Sequence, residues 1–329
     1  MAFIASRKLR WQWLASLGCA LALVSCGGGG SSDTGTKYTA VAMAGELLDY
    51  SIDTTHLTYS YTITESQFGL TGKTGSGTLV RNLDGTYSPS GAPNARVFPL
   101  PNGLLIGAVR EQFGAAFITV PIIGLSNPVT TLPAIAGTYN FVQRSCVGVV
   151  CGSNYGSFVI DASGTWASCP SANLGTGACP AGGSSGTLTS HGNGLWNVML
   201  GGTAIGTALG FNSAGQNVVI LDLKDLLGGF GVGILVGSQQ LPMTATQTDG
   251  TWIAGSSAGH WAVFTASGSS ITVNSIDGLP INVTTSFAAN NPWTGFATTP
   301  AGGVGLLAGA GVYVLETAGG QAELGIKIR

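Results

Sequence analysis

Two stretches of this chain satisfy the serine-hydrolase pattern G-x-S-x-G: Gly255-Ser256-Ser257-Ala258-Gly259 and Gly182-Gly183-Ser184-Ser185-Gly186. Such a serine becomes a nucleophile only at a sharp elbow between a strand and a helix. Residues 260–264 read as a strand, His260-Trp261-Ala262-Val263-Phe264, and Ser184 falls in a glycine-rich loop. With 53 glycines in 329 residues, matches of this kind arise by composition. His56, His191 and His260 are far apart and share no local motif. Asp49 and Asp53 would share one face of a strand, and Asp222 and Asp225 flank Lys224. Neither pair sits among further carboxylates, as the ligands of a calcium loop do. A glycosidase pair would have to be assembled from distant positions. Gly231-Val232-Gly233-Ile234-Leu235-Val236-Gly237 lacks the strand–turn–helix setting of a dinucleotide loop. The expectation is no catalytic residue, no metal ligand and no cofactor.

Aromatic residues recur along the whole chain, among them Trp166, Trp196, Trp252, Trp261 and Trp293. Most are expected to fill β cores. A minority lining a barrel mouth would offer a platform for a carbohydrate or a small molecule. Tyr59 and Tyr61 should share one face of a strand, with Thr58, Thr62 and Thr64 on the other.

The elements that would position these groups follow one grammar: a short apolar run, a small polar turn with Gly, a second run. Residues 157–160 turn through Asp161-Ala162-Ser163-Gly164 into Thr165-Trp166, and residues 210–211 through Asn212-Ser213-Ala214-Gly215 into 217–220. Connections this short make antiparallel hairpins, because parallel crossovers need a dozen residues or more. Helical signal is confined to residues 221–227, LDLKDLL, with room for two turns. The fold class expected is all-β, tandem antiparallel modules closed into up-and-down barrels, with a β-sandwich as the alternative. Closure would remove exposed strand edges.

A weak repeat suggests the boundaries. Leu132-Pro133 precedes Gly137-Thr138-Tyr139, and Leu241-Pro242 precedes Gly250-Thr251-Trp252. The expected modules span 38–131, 132–240 and 241–329. The Gly-Thr-aromatic opening resembles the first strand of small up-and-down barrels such as lipocalins and avidins, which implies an interior ligand pocket.

The N-terminus carries an address. Arg7, Lys8 and Arg10 precede an apolar run over residues 11–24 that is too short for a comfortable membrane span. Leu23-Val24-Ser25-Cys26, followed by Gly27-Gly28-Gly29-Gly30, resembles the lipobox of bacterial lipoproteins. That resemblance implies a signal peptide over 1–25 and a Cys26 bearing diacylglycerol and an acyl chain such as palmitate. It also implies delivery to the outer membrane, since residue 27 is Gly rather than Asp. Residues 26–37 would be the lipidated cysteine and a flexible tether. Of six cysteines, Cys146, Cys151, Cys169 and Cys179 then remain, and export favours disulfides among them. Three pairings exist; the local ones, Cys146–Cys151 and Cys169–Cys179, are expected. A four-thiolate zinc site is the alternative, but the spacings fit no CxxC knuckle.

The mature chain keeps nine Lys and Arg against 14 Asp and Glu, near −5, with no basic cluster. Nucleic acid binding therefore lacks its electrostatic footprint. Charged residues are 8% of the chain, yet 44% apolar residues argue against disorder. The reading is a lipid-anchored envelope protein, periplasmic or surface-facing, with a non-catalytic binding or structural role. Its partner would be the membrane and a protein, carbohydrate or small-molecule ligand. The alternatives are a small-ligand-binding barrel and a lipid-anchored secreted hydrolase.

Overall fold

The hairpin turns show how local chemistry sets this architecture. Asp161 Oδ1 accepts from the backbone N–H groups of Ser163 and Thr165 at 2.8 and 2.9 Å, while Gly164 takes φ 88°. A side-chain acceptor at the turn's start and a Gly in the left-handed region reverse the chain within four residues. A computed structural model describes residues 35–329, apart from 93–94, 114–115, 148–149, 175–178, 180–182, 225–231, 258–259, 309–310, 318–321 and 329. The side chains of 109–119, 147–151 and these gaps are likewise outside the description. Residues 1–34, and with them the expected signal peptide and Cys26, lie outside the described residues.

The described chain is all-β with antiparallel pairing, as the turn grammar predicts. Eight strands, from β1 (Thr36–Ala42) and β2 (Glu46–Asp53) through β3 (Thr58–Ser66) and β4 (Thr74–Arg81) to β8 (Ala116–Leu125), form a closed up-and-down barrel in which β1 pairs with β8. Tyr50 stacks at 6.1 Å on both Tyr59 and Tyr61, which do share a face. Gly75, opposite Tyr61 on β4, clears their space: a Cβ there would lie 2.5 Å from the Tyr61 ring.

A second closed barrel follows. It comprises β9 (Gly137–Val147), β10 (Val150–Ile160), β11 (Thr165–Pro170), β12 (Ser184–Gly192), β13 (Leu195–Leu200), β14 (Thr203–Ser213), β15 (Gln216–Leu223) and β16 (Val232–Gln239), with β16 returning to β9. The helix expected over 221–227 is not formed where it is described: Leu221, Asp222 and Leu223 complete β15. Pairing with β14 on one side and β16 on the other satisfies the backbone of these residues, which an isolated two-turn helix would do poorly.

The remaining strands, from β17 (Gly250–Ser256) and β18 (Trp261–Ser267) through β20 (Leu279–Ser286) and β21 (Ala288–Ala289) to β25 (Ala322–Lys327), make a nine-stranded sheet. Its first strand pairs with its last, as in the barrels, but β20 and β21 are the sheet's two ends. This is a barrel order opened between its fourth and fifth strands.

All three sheets belong to one compact unit over residues 35–329. Val142, Val218, Ile220, Ile234 and Val236, on the outer face of the second barrel, join a buried cluster with Ala40 and Val41 of β1 and Ile253 and Leu324 of the open sheet. This explains the apolar run over residues 232–237 of β16: its two faces meet two different interiors. A polar clamp adds to the seam with the open sheet. The Trp293 indole donates to Asn140 Oδ1 at 2.6 Å, and Asn140 Nδ2 donates to Thr294 O at 2.7 Å. Among the described residues no helix is long and apolar enough to cross a membrane.

Candidate functional site

The second barrel is hollow at one end. Strand register puts alternate residues inside: Tyr139, Phe141, Gln143 and Ser145 on β9 face Phe158, Gly156, Asn154 and Gly152 on β10. Continuing round, Trp166 and Ser168 on β11 oppose Gly186 and Ser184 on β12, and Leu221 and Leu223 on β15 oppose Leu235 and Gly233 on β16. A cavity of about 410 Å³ lies among these side chains and is lined from all eight strands. That volume falls within the ~300–1,000 Å³ of small-molecule sites.

Glycine at inward positions creates this space by removing side chains that would otherwise meet at the axis. A Cβ at Gly237 would lie 2.5 Å from the Phe158 ring, and one at Gly156 2.9 Å from the Phe141 ring. The Phe158 and Phe141 rings thus occupy the space that side chains at Gly237 and Gly156 would take, and they line the cavity. Tyr139 stacks on Phe158 with centroids 4.8 Å apart.

The closed end is stoppered by the segment before β9. Residues Leu132–Ile135 form a 3-10 turn, and Ile135 is fully buried against Gly210. Tyr139 donates its hydroxyl hydrogen bond to Ile135 O at 2.6 Å, and Asn217 Nδ2 donates to Ala134 O at 2.9 Å. Burial pushes the Tyr139 phenol up to about 12, against the opposing effect of Asn217, so it remains a donor across the physiological range. The open sheet repeats the device: the helical turn α1 (Ala245–Thr248) precedes β17, and Trp252 Nε1 donates to Thr248 O at 3.0 Å.

The other end is polar on one arc and apolar on the opposite one. Gln143, Ser145, Asn154, Ser168 and Ser184 line β9 to β12, while Ile205, Leu221 and Leu223 line β14 and β15. Among the described residues, none that lines the cavity is acidic, basic or a histidine. Trp166 is 7% exposed, and its Nε1 is buried with no hydrogen-bond partner among the described residues. The Cys169–Cys179 disulfide follows β11 at this end. Cys146 is also disulfide-bonded, and its register partner across the β9–β10 hairpin is Cys151, whose side chain lies outside those described.

The residues that first suggested chemistry are scattered. Ser184 opens β12 and is followed by strand, without a helix. Ser257 follows β17, and its hydroxyl accepts from the Ala322 backbone at 3.1 Å. Neither hydroxyl hydrogen-bonds a histidine ring among the described residues. Each histidine pairs with its own carboxylate: His56 with Asp53 at 2.7 Å, His191 with Glu65 at 3.2 Å, His260 with Asp277 at 2.7 Å. Asp49 is exposed and Asp53 caps the turn after β2, accepting from the Thr55 and His56 backbones. Among the described residues no three His, Cys, Asp or Glu side chains are grouped to hold a metal.

Of the two acids that flank Lys224, Asp225 lies outside the described residues. Asp222 is fully buried on the outer face of the second barrel, and neither carboxyl oxygen has a hydrogen-bond partner among the described residues. Burial holds its pKa well above the usual carboxylate range; Lys224 opposes this, and Glu65 and Glu46 of the first barrel reinforce it. Lys224 in turn forms an ion pair with Glu65.

Sequence reasoning singled out Trp166 and Ser184 but not Gln143, Ser145, Asn154 or Ser168. A signal was present: in β9 and β11, alternate residues change from aromatic to small polar toward the same barrel end.

No family model and no curated protein matches the chain. Among solved structures it is similar to a protein with unknown function from the DUF3598 family of Nostoc punctiforme. That match has 9% identity over 89% of this chain and 94% of the other, with a TM-score of 0.18. It is similar as well to the DNA polymerase β subunit of Streptococcus pyogenes, at 8% identity, 89% and 92% coverage and a TM-score of 0.11. The DNA polymerase III β subunit of Pseudomonas aeruginosa gives 9% identity, 89% and 93% coverage and 0.14. Superpositions this loose carry no argument, and the architecture rests on the strand pairing itself.

Proposed function

We propose that this protein binds a small, mainly apolar molecule inside its second barrel and does so tethered to the bacterial outer membrane through a lipid on Cys26. The observation that carries the binding reading is the cavity lined from all eight strands, stoppered at one end by the 132–135 turn. Its apolar wall supplies the favourable burial, and its few polar groups supply orientation. Binding, rather than bond-breaking, is supported by the dispersal of Ser184, Ser257 and the three histidines.

Support for the tether comes from the sequence: the lipobox-like Leu23-Val24-Ser25-Cys26 and the glycine run after it. Two acyl chains hold a protein firmly, at ~0.8 kcal/mol per buried CH2. A Cys146–Cys151 bridge, supported by the register of β9 and β10, would pin the mouth alongside Cys169–Cys179.

The binding test is titration of the full chain with the neutral probe N-phenylnaphthylamine. Saturable fluorescence enhancement that disappears in Ala208→Phe, which fills the cavity, is expected; absence of saturable binding by the wild type would overturn the reading. For the tether, Cys26→Ala should move the protein from the membrane to the soluble fraction and remove metabolic palmitate labelling. Unchanged membrane association would sink that part.

A further inference from the structure

The cavity's chemistry narrows what it takes, on the premise that it is a binding site. We infer that the ligand is an uncharged, mainly apolar molecule carrying one hydrogen-bond acceptor, which receives the indole N–H of Trp166.

Two independent observations lead there. The first is the absence of countercharge. Among the described residues, each one lining the cavity is apolar, glycine, or a neutral polar residue from Gln143, Ser145, Ser153, Asn154, Ser168 and Ser184. A carboxylate or ammonium moved inside would lose its hydration without gaining an opposite charge, at a cost of several kcal/mol or more. The charged side chains of this region, Lys224 and Glu65, pair with each other on the barrel's outer face instead.

The second is an unmet donor. Trp166 faces inward, opposite Gly186 on β12, with a Cβ at Gly186 only 3.0 Å from its Cε2. The neighbouring Nε1 is buried and has no hydrogen-bond partner among the described residues. Trp252 reaches Thr248 O and Trp293 reaches Asn140, whereas Trp261 Nε1 shares the unpartnered state among the described residues; of the two unpartnered indoles, Trp166 is the one that lines the cavity. A buried indole N–H is ordinarily satisfied. Trp166 also sits where the wall changes character, between the aromatic end and the arc of Ser168 and Ser184. A ketone, ester or ether oxygen placed there would accept from the indole while its chain lies against Leu188, Val198 and Val219.

The test uses the full chain and four probes of one length: decane, 2-decanone, decanoate and decylammonium, titrated by calorimetry. The inference expects 2-decanone to bind about tenfold more tightly than decane, the worth of one buried hydrogen bond. Decanoate and decylammonium should bind at least about a hundredfold more weakly than 2-decanone. Trp166→Phe keeps the ring and removes the donor, so it should erase the preference for 2-decanone and leave decane affinity unchanged. Equal affinity of the wild type for decane and 2-decanone would overturn the acceptor assignment, and tight decanoate or decylammonium binding would overturn neutrality. In both cases the binding reading survives. If no probe binds, the binding reading itself falls. The ligand comparison on the wild type decides the matter even if the variant misfolds.

Discussion

The Tyr139 hydroxyl donates to Ile135 O at 2.6 Å, and this bond ties the first strand of the second barrel to the turn that closes it. Both partners are fully buried, so neither has water as an alternative. Tyr139→Phe leaves the Ile135 carbonyl without that donor and should destabilise the protein by about 1–3 kcal/mol. Thermal unfolding of the variant measures this. A melting temperature equal to the wild type would show that the stopper is held by Asn217 and packing alone.

Gly237 lies inward on β16, beside the ring of Phe158, which itself lines the cavity. Gly237→Ala places a Cβ 2.5 Å from Phe158 Cε1, so the ring must shift toward the cavity. Overpacking of this kind costs about 1–3 kcal/mol, and ligand affinity should fall with the cavity's volume. Calorimetric titration of 2-decanone into the variant reads the second effect; undiminished affinity would place the bound molecule away from Phe158.

Asp222 makes stability depend on pH in a predictable direction. Below about pH 4 it is protonated in folded and unfolded chains alike. Above that, the unfolded chain ionises while burial keeps the folded carboxyl protonated, with Glu65 and Glu46 adding to the effect and Lys224 opposing it. Stability is therefore lost as pH rises toward the elevated folded-state value, by about 1.4 kcal/mol for each pH unit in which only one state is ionised. Asp222→Asn cannot ionise and should flatten this loss. Denaturation curves for both proteins from pH 4 to neutrality test it, and parallel curves would refute it.

Asn140 couples the second barrel to the open sheet through Trp293 and Thr294. Asn140→Ala leaves the half-buried Trp293 N–H and Thr294 carbonyl without these partners, at a cost of about 1 kcal/mol for each. Trp293→Phe should cost less from hydrogen bonding, because Gln240 still donates to Asn140 Oδ1. Comparing the two by chemical denaturation and limited proteolysis separates clamp from packing. Equal destabilisation would assign the seam to the aromatic contact with Tyr155 and Phe296.

Much of the fold was legible in particular short segments. Asp161-Ala162-Ser163-Gly164 and Asn212-Ser213-Ala214-Gly215 specify reversals through contacts within a few residues, and alternation around them fixes strands. Tyr59 and Tyr61 share a face for the same local reason. Residues 221–227 misled because a strand buried on both sides and a short helix have the same apolar content. Only the neighbours on each side, β14 and β16 within the barrel and the first barrel beyond it, distinguish them.

By itself the sequence determined an antiparallel, hairpin-built protein with cysteines placed to cross-link locally, since turns and period-two patterns act over a handful of residues. Tertiary structure decided closure, which requires β9 to meet β16 and β1 to meet β8 across most of a module, and left the third sheet open between β20 and β21. It also decided which face of each strand became interior. That choice gathered side chains from all eight strands around a cavity, left the Trp166 N–H without an acceptor among the described residues, and buried Asp222 between two barrels. Register between strands distant in sequence sets these outcomes, and no local pattern encodes it.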